Sequence, residues 1–274
     1  MRPPRVAARV DVLRAALAQM RHGDALDGNL ETARRCAEAA REAGADLVLL
    51  PEYWFAVFPG TPADNALAAP RAREAMAAAS RDLGVAVAGN VIERMGGSLW
   101  NLGLVYEDGR PVLEQPKVHP MPREAAAGVA GGDGLEAGHV RGRPAGMLVC
   151  ADVLYPEAAR VLALQGAELL LNPVMSPWRE DDDTRGARDA VFVARAYDSG
   201  AFVLKAGGWR RASEPPVVAG RSLAAAPWGV LAKARDDFAD ELLVVDLDFE
   251  RLRRFRDHQS GFPPRRPEAY GGLV

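Results

Sequence analysis

Cysteine is nearly absent: Cys36 and Cys150 are the two in a chain of 274 residues. Two cysteines make no disulfide framework at that length, so an apolar core has to hold the fold. Aromatic residues are sparse at 7%, against 49% hydrophobic residues in all. An excess of one charge is missing too. The net charge is −3, and the arginines are interleaved with acids, which leaves no electrostatic footprint for nucleic acid or an anionic membrane. Arg251, Arg253, Arg254 and Arg256 sit beside Glu250 and Asp257 and read as a solvated helix face. No apolar run approaches the roughly 18 residues of a membrane span, and Arg2, Arg5 and Arg9 precede no apolar leader segment. The four histidines, His22, His119, His139 and His258, show no metal-ligand spacing. These absences leave a soluble protein of a reducing, cytoplasmic compartment.

What is present is an alternation of apolar strands and amphipathic helices. Met1 to Asp11 reads as a loose N-terminal extension. Val12 to Met20 then reads as a strand. Asn29 to Ala43 reads as a helix with Leu30, Ala33, Ala37 and Ala40 on one face, Asp27 or Asn29 as its cap and Gly44 as its stop. Leu47 to Leu50 is a short buried strand. Arg71 to Leu83 is an Ala-rich helix, followed by strands at Val85 to Ile92 and Leu99 to Tyr106. A turn at Glu107-Asp108-Gly109 leads into Pro111 to Gln115. Further on, strands are expected at Ala145–Cys150, Glu168–Leu171, Ala201–Ala206, Val217–Ala226, Gly229–Ala234 and Leu242–Leu247. Helices are expected at Pro156–Gln165, Arg185–Tyr197 and Phe249–Phe255. The pattern predicts a layered α/β fold, and with no linker or repeat a single domain over 1–274 is the expectation. Pro120 to Pro144 lacks periodicity and reads as a long functional loop.

Three polar residues each stand just beyond an apolar segment. Cys150 closes Met147-Leu148-Val149 and precedes a helix start at Tyr155-Pro156-Glu157. A thiol so placed is displayed as nucleophiles are, with the following N–H groups available to an oxyanion; an inert core cysteine fits the same position. Cys36 lies mid-helix and reads as packing. Glu52 follows Leu47 to Pro51 at a strand end, where open α/β sheets place ligands. A solvated loop acid is the ordinary reading there, but Tyr53-Trp54-Phe55 argue for burial, and a buried carboxylate suits a general base. Lys117, within Gln115-Pro116-Lys117-Val118-His119-Pro120, reads either as a surface lysine or as a part-buried cation able to offset an oxyanion. Together they supply a thiol nucleophile, a proton acceptor and an ammonium. A Cys150 beside a buried cation would be a reactive thiolate, labelled far faster than Cys36.

These segments resemble the nitrilase, or carbon–nitrogen hydrolase, superfamily. The resemblance rests on Gly44 to Glu52, on Pro116-Lys117-Val118-His119, and on Gly146 to Arg160 followed by Gly166 to Pro173. Trp100-Asn101, Ala194-Arg195-Ala196, Gly220-Arg221-Ser222, Pro227-Trp228-Gly229 and Arg265 to Tyr270 extend it along nearly the whole chain. It implies a four-layer α-β-β-α sandwich and hydrolysis of a non-peptide carbon–nitrogen bond through a thioester, with loss of ammonia or an amine. Cys150 would be the nucleophile, Glu52 the general base and Lys117 the oxyanion stabiliser, helped by the Ala151 N–H. Many members carry a second glutamate after the lysine; Glu124 is the candidate, a loop acid being its other reading, and Glu136 fits less well. No cofactor is implied. The partners would be a small-molecule amide or nitrile and a second copy of the chain, as a homodimer or larger assembly.

The chain departs from the family pattern at Ala151, Leu154, His119-Pro120, Asp198-Ser199 and Ala206-Gly207-Gly208-Trp209. All of these touch the pocket wall, so they bear on the substrate rather than on the chemistry. Trp54, Tyr155 and Trp178 are candidates for that wall or for core packing. An amide, ureide or ω-amide substrate is the leading expectation, with nitrile hydrolysis as the alternative. Acyl transfer to an amine is a further reading. A non-catalytic binding protein that kept the fold would show the three side chains splayed apart.

Overall fold

The computed structural model describes residues 11–58, 60–211, 213, 216–258 and 265–273. Its first part runs β1 (Val12–Gln19), α1 (Leu26–Glu42), β2 (Leu47–Leu49), α2 (Pro62–Leu83), β3 (Ala86–Met95), β4 (Ser98–Glu107), β5 (Arg110–Pro116), α3 (Pro122–Ala126) and β6 (Val129–Ala130). The second part runs β7 (Gly138–Val140), β8 (Arg143–Met147), α4 (Pro156–Leu164), β9 (Leu169–Val174), β10 (Ser176–Pro177), α5 (Arg188–Ser199), β11 (Phe202–Gly207), β12 (Val218–Ala219), β13 (Leu223–Ala226) and β14 (Gly229–Lys233). β15 (Glu241–Asp248) and α6 (Phe249–His258) follow.

Two mixed sheets result. One has the order β15-β1-β2-β3-β4-β5, with β6 beside β4; the other has the order β14-β13-β11-β9-β8-β7. The chain crosses back to the first sheet at its end, where β15 pairs antiparallel with β1 along its whole length. Side chains alternate faces along a strand, and the burial pattern uses both. Leu13, Ala15 and Leu17 of β1 face the second sheet, packing with Leu169, Leu171, Phe202 and Leu204. Ala16 and Ala18 face outward onto Ala33, Ala37 and Ala40 of α1 and Met76 of α2. Leu170 and Val203 likewise face outward onto Ala159, Leu162, Phe192 and Ala196 of α4 and α5. Three apolar interiors between four layers make the α-β-β-α sandwich. The alanine-rich helix faces let the outer layers approach closely. Where β4 nears the second sheet, a side chain on Gly103 would strike Met147 and Val149.

Several local expectations need correction. α2 begins nine residues before Arg71, with Thr61 and Asp64 forming a reciprocal cap and Pro70 tolerated inside the helix. α1 starts at Leu26, so neither Asp27 nor Asn29 caps it; the Asn29 side chain instead receives the Gly23 N–H and donates to the Ala56 carbonyl. β8 stops at Met147, and Cys150 opens a 3-10 turn over Cys150–Leu154. The stretch Val217 to Ala226 is two strands, broken at Gly220-Arg221-Ser222. The Pro120 to Pro144 segment carries α3, β6 and β7, all too short to show a period. Of the expected loose extension, 1–10 lie outside the described residues, while Asp11 is anchored: its carbonyl accepts the Phe249 N–H at 2.9 Å and its carboxylate pairs with Arg143 and Arg253. Arg256 is not on a solvated face, since it is half-buried and donates to the Gly200 carbonyl at 2.7 Å. No helix among the described residues is long and apolar enough to cross a membrane.

Candidate active site

Glu52, Lys117 and Cys150 follow β2, β5 and β8, and the facing sheets bring these strand ends to one place. Glu52 and Lys117 are each 1% exposed and Glu124 is 8% exposed. The Lys117 Nζ donates to Glu52 Oε1 at 2.9 Å and to Glu124 Oε2 at 2.6 Å. Burying three charges costs several kcal/mol per ion unless each is matched and hydrogen-bonded, and here each is. The Asn101 amide donates to Glu52 Oε1 and to Glu124 Oε1, both at 2.9 Å. Glu124 also accepts the Tyr53 hydroxyl at 2.9 Å and the Met121 N–H at 2.8 Å. Glu52 Oε2 accepts the Met175 N–H at 3.1 Å. Asn90 orients Asn101 by donating to its side-chain oxygen at 2.8 Å.

The Cys150 Sγ lies 3.8 Å from the Met175 carbonyl, and the N–H of the same Met175 donates to Glu52 Oε2, so one residue links the thiol to the carboxylate. Its φ is +50°, a left-handed conformation rare for a residue with a side chain. Two braces hold the strained turn. The Asp152 carboxylate accepts the Val149 N–H at 3.1 Å, the His119 N–H at 2.9 Å and the His119 Nδ1 at 2.8 Å, tying the turn to the segment that bears Lys117. From α5, Arg195 donates to the carbonyls of Val153 and Leu154 at 2.9 and 3.0 Å. The Asn172 amide holds the Cys150 carbonyl at 3.1 Å. The first N–H groups of a helical turn have no acceptor within it, and the Ala151 N–H, next along the chain from Cys150, is one of these.

The protonation states follow from this packing. Burial, and then the Glu124 charge, push Glu52 above the usual carboxylate value against the pull of Lys117. Burial works against the Lys117 charge, yet Glu52, Cys150 and Glu124 outweigh it and hold the ammonium well above the usual lysine range. Burial also opposes the Glu124 charge, but Lys117 and the donors from Met121 and Asn101 keep it below its ordinary value. Burial first and the Glu52 charge second push the Cys150 thiol up, beyond what Lys117 offsets. This packing favours the neutral thiol at Cys150 over the thiolate.

The other named residues fall into two groups. Glu124 joins the cluster from α3; Glu136 is exposed and lies apart from it. Tyr155 is 44% exposed and stacks on His119, ring centroids 3.6 Å apart. Trp178 is half-buried, edge-on to Phe238. Trp54 is wholly buried in the interior beneath the site, its indole N–H donating to the Asn90 carbonyl at 2.9 Å. The sequence does not mark Tyr53, Asn90 or Asp152 as site residues. A lone amide inside the apolar strand Val85 to Ile92 was the available signal for Asn90.

Residues 14–257 match the carbon–nitrogen hydrolase family. The chain is 25% identical to an N-carbamoylputrescine amidase of Solanum lycopersicum, over 92% of this chain and 91% of that protein. Among solved structures it resembles a carbon–nitrogen hydrolase from Helicobacter pylori G27, with a TM-score of 0.88 at 23% identity over 97% of this chain and 99% of the other. It also resembles an amidase from Nesterenkonia sp., with a TM-score of 0.80 at 26% identity over 96% of each chain. The match spans both sheets and every segment that carries the Glu-Lys-Cys cluster, and the chain belongs to the carbon–nitrogen hydrolase family.

Proposed function

We propose that this protein is an amidase-type hydrolase of a small linear amide or carbamoyl compound, with Cys150 as nucleophile. The observation that carries the reading is the convergence of the Cys150 thiol and the Glu52 carboxylate on Met175, with that carboxylate held by the buried Lys117 ammonium at 2.9 Å. Glu52 takes the thiol proton as the sulfur–carbon bond forms, so no free thiolate has to build up in a buried site. The carbonyl oxygen becomes an oxyanion facing the Lys117 ammonium and the Ala151 N–H. Glu52 returns the proton to the departing nitrogen, the carbon–nitrogen bond breaks, and ammonia or an amine leaves behind a thioester. A water then attacks the thioester carbon, giving its proton to Glu52; the carbon–sulfur bond breaks, the acid leaves, and the thiol regains its proton. Glu124 touches Lys117 rather than the reacting atoms and acts as a positioning residue.

The Lys117–Glu52 ion pair, with Cys150 joined to it through Met175, is the opposite of the splayed arrangement that a non-catalytic protein would show. The tomato relative acts on a carbamoyl compound by name, which supports that substrate class over a nitrile. We place the enzyme in a reducing, cytoplasmic compartment, since Cys36 and Cys150 are both free. A homo-oligomer is supported by exposed Leu154, Tyr155, Val161, Leu164 and Tyr197, which mark the outer face of α4 and α5 as apolar. Ammonia release from a panel of amides, carbamoyl compounds and nitriles tests the chemistry. Release by the wild type and none by Cys150→Ala is the expected result; equal release by both sinks the assignment of the nucleophile.

A further inference from the structure

A second set of buried charges lies beside Cys150, and it is not balanced. Lys205 on β11 is 2% exposed, with its ammonium 5.3 Å from the centroid of the Phe192 ring on α5. Its register partners are Asn172 on β9 and Leu223 on β13. Asn172 is the residue whose amide holds the Cys150 carbonyl, so Lys205 and the nucleophile share a strand neighbour. Arg221 stands two residues before Leu223. Its Nε donates to Asp237 Oδ2 at 3.0 Å, while Nη1 and Nη2 are buried with no partner among the described residues. Arg188 opens α5 in the same manner: its Nη2 donates to Asp182 at 2.6 Å and its Nε is buried and unpartnered among the described residues.

This arrangement is costly. Buried donors are nearly always hydrogen-bonded, and charged ones left unpaired are the most expensive. Arg221 also holds a φ of +50°, a strain that residues with side chains carry mainly at functional sites. Burial first, then Arg221 and Arg188, pull Lys205 down to about 7, while Cys150 and Asp189 act the other way. Asp189 is already engaged by Lys233. The missing element is therefore an anion. Arg221, anchored from behind by Asp237, presents both terminal nitrogens, the fork that a carboxylate fits in bidentate fashion.

We propose that Arg221, Lys205 and Arg188 seat a carboxylate of the substrate, so that the preferred substrate is an amide or carbamoyl compound bearing a carboxylate a few bonds from the scissile carbonyl. This rests on Cys150 as the nucleophile. Binding the anion supplies the charge that Lys205 lacks, and it orients the carbonyl toward the neighbouring sulfur.

The test compares malonamate, succinamate and glutaramate, each with the neutral amide in which a methyl replaces the carboxylate. It adds the thermal stability of Cys150→Ala protein in malonate, succinate or glutarate. At least one acid is expected to exceed its neutral partner in kcat/KM by about tenfold or more, the scale of one charged hydrogen bond. Arg221→Gln and Lys205→Met should each drive that ratio toward one, with the change carried in KM. The matching diacid should raise the Tm of Cys150→Ala protein and not of Cys150→Ala/Arg221→Gln protein. Hydrolysis with ratios near one and no diacid stabilisation overturns the carboxylate seat and leaves the hydrolase reading intact. Diacid stabilisation through Arg221 with no amide cleaved upholds the seat and removes the hydrolase reading.

Discussion

Two buried charge clusters flank Cys150, and they are built in opposite ways. Around Lys117 every charge has a partner: two carboxylates, an amide that serves both, a hydroxyl and two backbone N–H groups. Around Lys205 the hydrogen bonding is incomplete: Nη1 and Nη2 of Arg221 and Nε of Arg188 are buried with no partner among the described residues. A completed network is rigid and preorganised before any ligand arrives. An incomplete one keeps its desolvation cost until a ligand of opposite sign removes it. The first suits groups that act on bonds; the second suits groups that select what is bound.

The widest separation between the clusters should appear in substitutions of their two lysines. Lys117→Met strands Glu52 and Glu124 as unpaired buried carboxylates, and breaking such a network costs about 3–5 kcal/mol. Chemical denaturation should show that loss, with amidase activity abolished. Lys205→Met removes a buried cation that has no ion pair among the described residues and should stabilise the empty protein by about 1–3 kcal/mol. The sign follows from linkage. A lysine whose folded pKa is depressed from 10.5 to about 7 destabilises the fold increasingly as pH falls through that window, and fully below it. The advantage of Lys205→Met should therefore grow as pH drops from 10.5 toward 7; a constant difference across that range would contradict an unpaired buried ammonium. A smaller effect concerns Glu52. In the proposed mechanism its carboxylate must be ionised to take the thiol proton, so activity should fall on the acid side, at a pH above the ordinary carboxylate range. Glu124→Gln removes a negative charge that raises Glu52, and the acid limb of kcat/KM should move to lower pH even as the overall rate declines.

Legibility in the sequence follows the same division. Glu52, Lys117 and Cys150 are visible because each abuts an apolar run at a strand end, punctuated by proline or by a helix start. The layers are visible because strand and helix periods alternate without interruption. Asn90 and Lys205 are harder to see, since each is one polar residue inside a strand that otherwise reads as core. Nothing local tells what such a residue meets; that depends on segments distant in sequence, Asn101 for Asn90 and the Phe192 ring for Lys205. The early turns of α2 are hidden by Pro70, which reads as a break although the Thr61–Asp64 cap already commits the chain to helix. The turn at Arg221 is hidden because Val217 to Ala226 has strand composition throughout, and the kink lies in a backbone angle that composition does not express.

The left-handed backbone at Cys150 sets durability against chemistry at a single position. Glycine adopts that conformation without steric cost, whereas a residue with a Cβ does not. In most strands and helices alanine is the more stabilising of the two, but here the order should invert, with Cys150→Gly melting above Cys150→Ala. Mutational drift toward a sturdier protein would thus favour glycine at this site, against the turnover that the proposed role of the sulfur supports.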